Sequence, residues 1–356
     1  MLYNFEEDEY KFKEKSKYAY AVGVIRVFEM RLFTQSDLQR LLEAPSPEEA
    51  LEILRDSPYE NSLNELESVW DFDLALNNEL ERSYRLIDDL SLDKELTNLF
   101  RAKWDFYNLK VLLKQSYLES AEEFPFISNL GMISPEKIKT AIDSEEGHSI
   151  IDDLFGKMDG LPTHLQVAMD EAKEVYDTEN DPQMIDIIID RHTQAYLYHH
   201  SLGCPFLANY FKRNIDLANI RNFIRIKLLQ QNFELLQKVL LDNGIIDKQT
   251  FINEFKEEDV LHLANVLSPT PYFSIVDEGL REWSETGSLT TFEKMAEDYL
   301  IKYLKPAKYQ SFGVEPLIAY LLAKENEIKQ VRIIMVGKLN RLPEDSILER
   351  LRVSYV

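Results

Sequence analysis

One short order of side-chain types recurs three times in this chain, at intervals of 111 positions. The copies are Asp105-Phe-Tyr-Asn108-Leu-Lys110, Asp216-Leu-Ala-Asn219-Ile-Arg221 and Glu327-Ile-Lys-Gln330-Val-Arg332. Each reads acid, apolar, any, amide, apolar, base. Counting from the acid, apolar residues follow at one, four, seven and eight positions: Phe106, Leu109, Leu112, Leu113; Leu217, Ile220, Phe223, Ile224; Ile328, Val331, Ile334, Met335. That spacing is one face of an α-helix, an arc of roughly 120° that also contains the acid. A carboxylate facing a core needs donors, because burying it unpaired costs several kcal/mol. Two readings follow. The acids are helix N-caps, with Asn326 standing in where the third copy has Glu327, or they are sites of catalysis or ion binding. Symmetric repetition favours a common structural joint.

Two further blocks recur in step. Phe33, Ile133 and Ile246 each precede a capping residue type (Thr34, Ser134, Asp247) and then an apolar helical stripe. Phe72-Asp73, Ile185-Asp186 and Phe292-Glu293 each lead another helical pattern. A period near 110 residues is too long for a solenoid unit. The reading is therefore three copies of a small helical domain, over 1–121, 122–232 and 233–356, each ordered as hairpin, middle helices and motif helix. Glu119 to Pro125 forms the first break in composition. Only 11 Gly and 13 Pro in 356 residues, with no succession of alternating strands, make the fold class all-α. A 45% hydrophobic fraction is ample for packed cores.

The 63 acids exceed the 40 bases, giving a net charge of −23. Such a field repels phosphate backbones and disfavours nucleic acid, while it suits a basic protein partner. The single Cys204 excludes an intramolecular disulfide framework. Met1 to Tyr10 is acidic and lacks the pattern of a signal peptide, and no apolar run reaches membrane-spanning length. Phosphate-binding loops, H-E-x-x-H, C-x-x-C and G-x-S-x-G are missing. Glu145-x-x-His148 matches half of a di-iron pattern but sits in a loop-like context, and Asp259-x-x-His262 is a poor second half. His192, His199 and His200 share a helical stretch, but His192 and His199 are about 10 Å apart along the axis, so one metal would need ligands from elsewhere. No catalytic, cofactor-binding or metal-binding residue is nominated. The motif residues are nominated as a repeated structural feature.

The C-terminal wording carries a resemblance. Gly313-Val-Glu-Pro-Leu-Ile-Ala-Tyr, Lys324-Glu-Asn-Glu-Ile-Lys, Val331 through Asn340 and the closing Leu351-Arg-Val-Ser-Tyr-Val resemble the C subunit of bacterial and archaeal V-type (A-type) ATPases. That family includes the d subunit of eukaryotic vacuolar proton pumps. Asp105, Asn108 and Lys110, with Asp216, Asn219 and Arg221, match its repeated motif, whereas Glu327 and Gln330 depart from it. The resemblance implies a funnel-shaped, three-lobed helical protein around an approximate threefold axis. It implies a non-catalytic rotor component on the cytoplasmic face of the cell membrane. The implied partners are the central shaft subunits and the proteolipid ring, with torque coupling ATP hydrolysis or synthesis to H⁺ or Na⁺ transport. A helical scaffold for another basic protein is the alternative.

Overall fold

The computed structural model describes residues 15–63, 66, 68–117, 127–144, 160–257 and 259–356. The expected break at Glu119 to Pro125, the Glu145 and His148 pair and the acidic start from Met1 to Tyr10 lie outside the described residues. The described residues form α-helices and short 3-10 turns, without a strand. The all-α expectation holds.

Two compact units emerge, one of residues up to Asp93 together with Leu261–Val356 and one of Lys94–Val260. In the first unit the chain opens with α1 (Ala19–Glu29), α2 (Gln35–Leu42), α3 (Pro47–Arg55), α4 (Glu60–Leu63) and α5 (Phe72–Leu90). The predicted starts are visible. Thr34 caps α2 in a capping box with Asp37, and Pro47 occupies the first turn of α3 behind the Ser46 cap.

The second unit contains α6 (Lys94–Tyr117), α7 (Pro135–Asp143), α8 (Leu161–Glu179), α9 (Pro182–His200), α10 (Pro205–Leu228), α11 (Phe233–Val239) and α12 (Lys248–Glu254). Helix α6 packs on α7, α8 and α9, while α10 packs on α9 and α11. The sequence reads as one apolar stretch from Phe206 to Asn243, but the helix stops at Leu228. Gln230 turns into the left-handed region with φ 53°, and Asn232 caps α11 by accepting from Leu235 N–H. Ser134 stands at the N-cap of α7 without a side-chain capping bond, whereas Asp247 caps α12 through Gln249 N–H.

The first unit is completed by α13 (His262–Val266), α14 (Phe273–Thr286), α15 (Thr290–Leu304), a 3-10 turn over Lys305–Tyr309, α16 (Glu315–Leu339) and α17 (Glu344–Leu348). Helix α16 is apolar on nearly every side from Leu317 to Ala323, and further on it buries Ile328, Val331, Ile334 and Met335. A helix of that kind must be surrounded. It is enclosed by α1, α2, α3, α5 and the Lys305–Tyr309 turn. The third motif helix is thus packed by the helices that begin the chain.

Helices α14 and α15 approach closely because Gly279 has no side chain. A Cβ there would lie 2.6 Å from Phe292 Cβ, itself deep in the core. Gly279→Ala is expected to destabilise the protein by about 1–3 kcal/mol through overpacking. Gly23→Ala, where a Cβ meets nothing within 4 Å, serves as the control in a thermal or urea melt.

Candidate functional site

Asp105 lies mid-way along α6, Asp216 mid-way along α10 and Glu327 mid-way along α16. A mid-helix acid cannot cap its own helix, so the N-cap reading gives way to another. The amides behind each acid already serve the helical ladder. Each carboxylate turns instead to backbone N–H groups of a remote segment. Asp105 Oδ2 accepts from Met132 N–H at 3.0 Å and Oδ1 from Ile133 N–H at 2.9 Å. Asp216 Oδ1 accepts from Ile246 N–H at 2.9 Å, and Glu327 Oε2 from Phe33 N–H at 2.5 Å. The recipients are the apolar residues that open the second repeated block. The order is shifted by one copy: the first acid holds the second hairpin, the second holds the third, and the third holds the first.

The amides work one turn further along. Asn108 accepts from Ser128 N–H at 2.9 Å and donates to Ser128 C=O at 2.7 Å. Asn219 does the same with Leu241, at 2.7 and 2.9 Å. Each carboxamide therefore completes both hydrogen bonds of one residue's backbone, as a neighbouring strand would. Gln330 accepts from Arg352 N–H at 3.1 Å, in the C-terminal extension. Asp105, Asn108, Asp216 and Asn219 show no exposed surface, and Glu327 and Gln330 almost none. The bases lie at the margin. Lys110 pairs with Asp190 at 2.8 Å and Arg332 Nε with Asp73 at 2.7 Å, while Arg221 is half-buried.

Glycine makes the approach possible. A Cβ at Gly131 or at Gly244 would lie 2.3 Å from the Asp105 or Asp216 carboxylate oxygen, respectively. Gly244 reads from sequence as a helix C′ glycine, but the left-handed residue is Asn243, with φ 71°. Gly244 is required by the carboxylate, not by its own backbone angle. The first hairpin has Arg31 at the equivalent position, and its acid is Glu327 rather than Asp. The extra methylene spans the gap that a side-chain-bearing residue imposes.

The third clasp is the most elaborate. Glu327 Oε1 also accepts from Tyr59 O–H at 2.8 Å and faces Lys324 Nζ at 2.7 Å. Lys324 reaches Glu79 Oε1 at 3.0 Å, and Arg82 lies 2.8 Å from the other Glu79 oxygen. Burial pulls the Lys324 ammonium down, but Glu327 and Glu79 together hold it above its usual range. Burial, followed by the Glu327 charge, pushes the Tyr59 phenol up. Two acids against Lys324 and Arg82 leave the network balanced.

The histidines gather loosely, with His164 and His200 rings 5.8 Å apart at their centroids, and their other contacts are to different partners. His192 Nε2 meets Glu171 Oε2 at 2.7 Å, His199 lies beside Tyr198, and His200 stacks on Tyr196 with centroids 4.2 Å apart. Burial, then the charges of His200, His192 and His199, lowers the pKa of His164. Among the described residues no group of three or more His, Cys, Asp or Glu is placed to hold a metal. A cavity of about 650 Å³ in the first unit is lined by Leu42, Pro45, Trp70, Lys338 and Leu342, where Lys338 is occupied by the Leu42 and Ala44 carbonyls. The clasps bond one helix to the start of the next hairpin.

Sequence reasoning found the polar residues but missed their partners. The one available signal was joint variation: Asp goes with Gly131 and Gly244, and Glu with Arg31. It appears only when each motif is aligned with the following hairpin.

The chain is similar in sequence to known proteins over most of its length. The family model described as ATP synthase (C/AC39) subunit matches residues 21–350. The C subunit of the V-type sodium ATPase of Enterococcus hirae is 26% identical over 334 residues, covering 93% of this chain and 97% of that protein. The C subunit of the A-type ATP synthase of Methanocaldococcus jannaschii is 25% identical over 354 residues, covering 93% and 85%. That of Pyrococcus furiosus is 26% identical over 342 residues, covering 93% and 89%.

Burial pushes the Asp105 carboxyl up to about 7, against the pull of the Met132 and Ile133 amides and Arg101. A raised folded pKa means that the native state holds a proton which the unfolded chain has released. Its contribution to stability is full below about pH 4 and is lost as pH rises through about 7, at roughly 1.4 kcal/mol per unit. The stability difference between the wild type and Asp105→Asn, from urea melts across pH 4 to 8, is expected to shift against the wild type over that window and then level off. Gly131→Ala and Gly244→Ala are each expected to cost about 1–3 kcal/mol. Gly203→Ala, with open space around it, should cost much less in the same melts.

Proposed function

The chain belongs to the ATP synthase (C/AC39) subunit family, and from that premise we propose that it is a non-catalytic rotor component of a V-type ATPase. In this reading it joins the central shaft to the membrane-embedded proteolipid ring. It passes torque between ATP hydrolysis, or synthesis, and the transport of H⁺ or Na⁺. The coupled ion is chosen by the ring.

The observation that carries the reading is the cyclic order of the clasps. Each motif helix is bonded to the hairpin of the next copy, and the third returns to the first. Such a series supports three lobes, with domains near 1–121, 122–232 and 233–356, disposed around an axis as a socket for a shaft. Buried polar bonds resist sliding between helices better than apolar contact alone. No helix among the described residues is long and apolar enough to cross a membrane, which suits a peripheral position on the cytoplasmic face. The net charge of −23 suits a basic shaft end.

The test is reconstitution from purified parts. Full-length protein is expected to bind purified shaft subunits at micromolar concentration and, separately, the detergent-solubilised proteolipid ring. Binding to neither would overturn the rotor reading in favour of a scaffold for another basic protein. In the assembled complex, Asp216→Ala is expected to lower ion pumping more than ATP hydrolysis, because it loosens a joint in the load path without touching the ATP site.

A further inference from the structure

Helix α1 has two apolar faces. One is buried through Ala21, Val22 and Ile25. The other carries Tyr20, Gly23, Val24, Val27 and Met30, spaced as a second helical stripe. That stripe is largely uncovered: Tyr20 is 78% exposed, Val27 52% and Met30 86%. Beside it runs the Lys305–Tyr309 turn, tied to α1 by Arg26, which donates to the Ala307 carbonyl at 2.8 Å and the Gln310 carbonyl at 2.6 Å. Tyr309 adds another ring, 88% exposed.

Among the described residues, basic side chains gather beside this stripe. Lys15 and Lys17 lie before α1, and Arg31 follows it. Arg26, Lys305 and Lys308 stand close together along one flank. Among the described residues, Glu29 and Glu315 are acids beside it. Glu29 is buried against Arg26 and accepts from Tyr355 O–H, and Glu315 pairs with Lys15 at 2.8 Å. Asp93 N–H donates to the Tyr18 hydroxyl oxygen on the buried side of α1. A cationic rim around an apolar ridge is therefore set into a protein with net charge −23.

We propose that this face of α1, with the Lys305–Tyr309 turn, docks on an anionic phospholipid surface. Apolar and tyrosine side chains would enter the headgroup boundary, with the basic rim among the phosphates. Shape decides between lipid and protein. The stripe is a convex ridge: a Cβ at Gly23 would meet nothing within 4 Å, and Tyr20, Met30 and Tyr309 project outward. A protein partner needs a recess or matching groove to reach interface packing density, whereas lipid moulds itself around a ridge. Tyrosine is suited to that boundary, and long basic side chains can extend from an apolar face to phosphate.

The test is vesicle sedimentation of the full-length chain, with phosphatidylglycerol-rich vesicles and with phosphatidylcholine alone. Binding is expected to the anionic vesicles only, and it should weaken as salt screens the basic rim. Val27→Glu and Met30→Glu are each expected to weaken binding about tenfold or more, since each puts a charge where an apolar side chain would enter. Unchanged thermal melts establish that both variants fold. Failure to bind anionic vesicles, or equal binding by folded variants, would overturn the proposal. So would binding that appears only when residues 1–14 are deleted, which would make that segment the occupant, or binding only to the solubilised ring. The surface goes beyond the rotor reading. Shaft binding by Met30→Glu is scored separately, so either idea can fail alone.

Discussion

A carboxylate buried in the middle of a helix has no donor on its own helix to turn to. Every local amide is committed to the ladder, and water is excluded. Asp105 and Asp216 stand in that position without exposed surface, and Glu327 nearly so. Left unpaired, each would cost several kcal/mol. The remedy is a loop whose first free amides, those just before a new helix, point at the acid. Such amides are orphans in their own right. One bond therefore removes two liabilities, and it fixes where the following hairpin must begin. The Asn108 and Asn219 carboxamides repeat the same logic one turn on, each by completing both backbone bonds of one residue.

The third clasp shows what happens when the same joint is made between distant parts of the chain. The hairpin around Phe33 and the helix carrying Glu327 are nearly 300 residues apart, so no short loop holds them together. Loop closure over that distance is costly in entropy. More interactions gather there than at either of the others. Lys324 and Tyr59 contact the acid, Glu79 and Arg82 extend the network from Lys324, and the C-terminal extension is pinned through Arg352, Val353 and Tyr355. A buried ion network of this kind contributes little net stability compared with apolar packing, but it is intolerant of losing one member. It specifies a single docked register more than it strengthens the fold.

Much of the fold was legible in the sequence because period and capping are local. The apolar stripes placed α6 and α16 to within a few residues and marked the start of α10, and Thr34, Pro47 and Asp247 marked real helix starts. The clasps were half legible. Asp105 and Asn108 announced themselves by repetition, but Met132 and Ser128 contribute only backbone, which leaves no residue-type signature. Gly131 and Gly244 did leave one, yet a glycine after a helix first reads as a turn residue. The break at Leu228 was hidden because Leu235 and Leu236 keep the helical apolar spacing beyond it. The stripe on α1 was hidden for the opposite reason: Lys17 to Leu32 reads as a helix apolar on one side, with Arg26, Glu29 and Arg31 among its polar positions, yet Tyr20, Val27 and Met30 are exposed.

Polar clasps matter most when a structure carries load. Packed apolar helices meet through ridges and grooves, and a small slide exchanges one set of dispersion contacts for another of similar depth. A buried carboxylate behaves differently. Displacing the amides of Met132 and Ile133 by a bond length leaves both the carboxyl group and the donors without partners, in a medium where that loss is largest. The restoring force is therefore steep along the direction in which apolar faces resist least. Three such joints, each binding a helix to the hairpin of the next copy, would transmit a twist with little slack. They would do so without a continuous rigid rod.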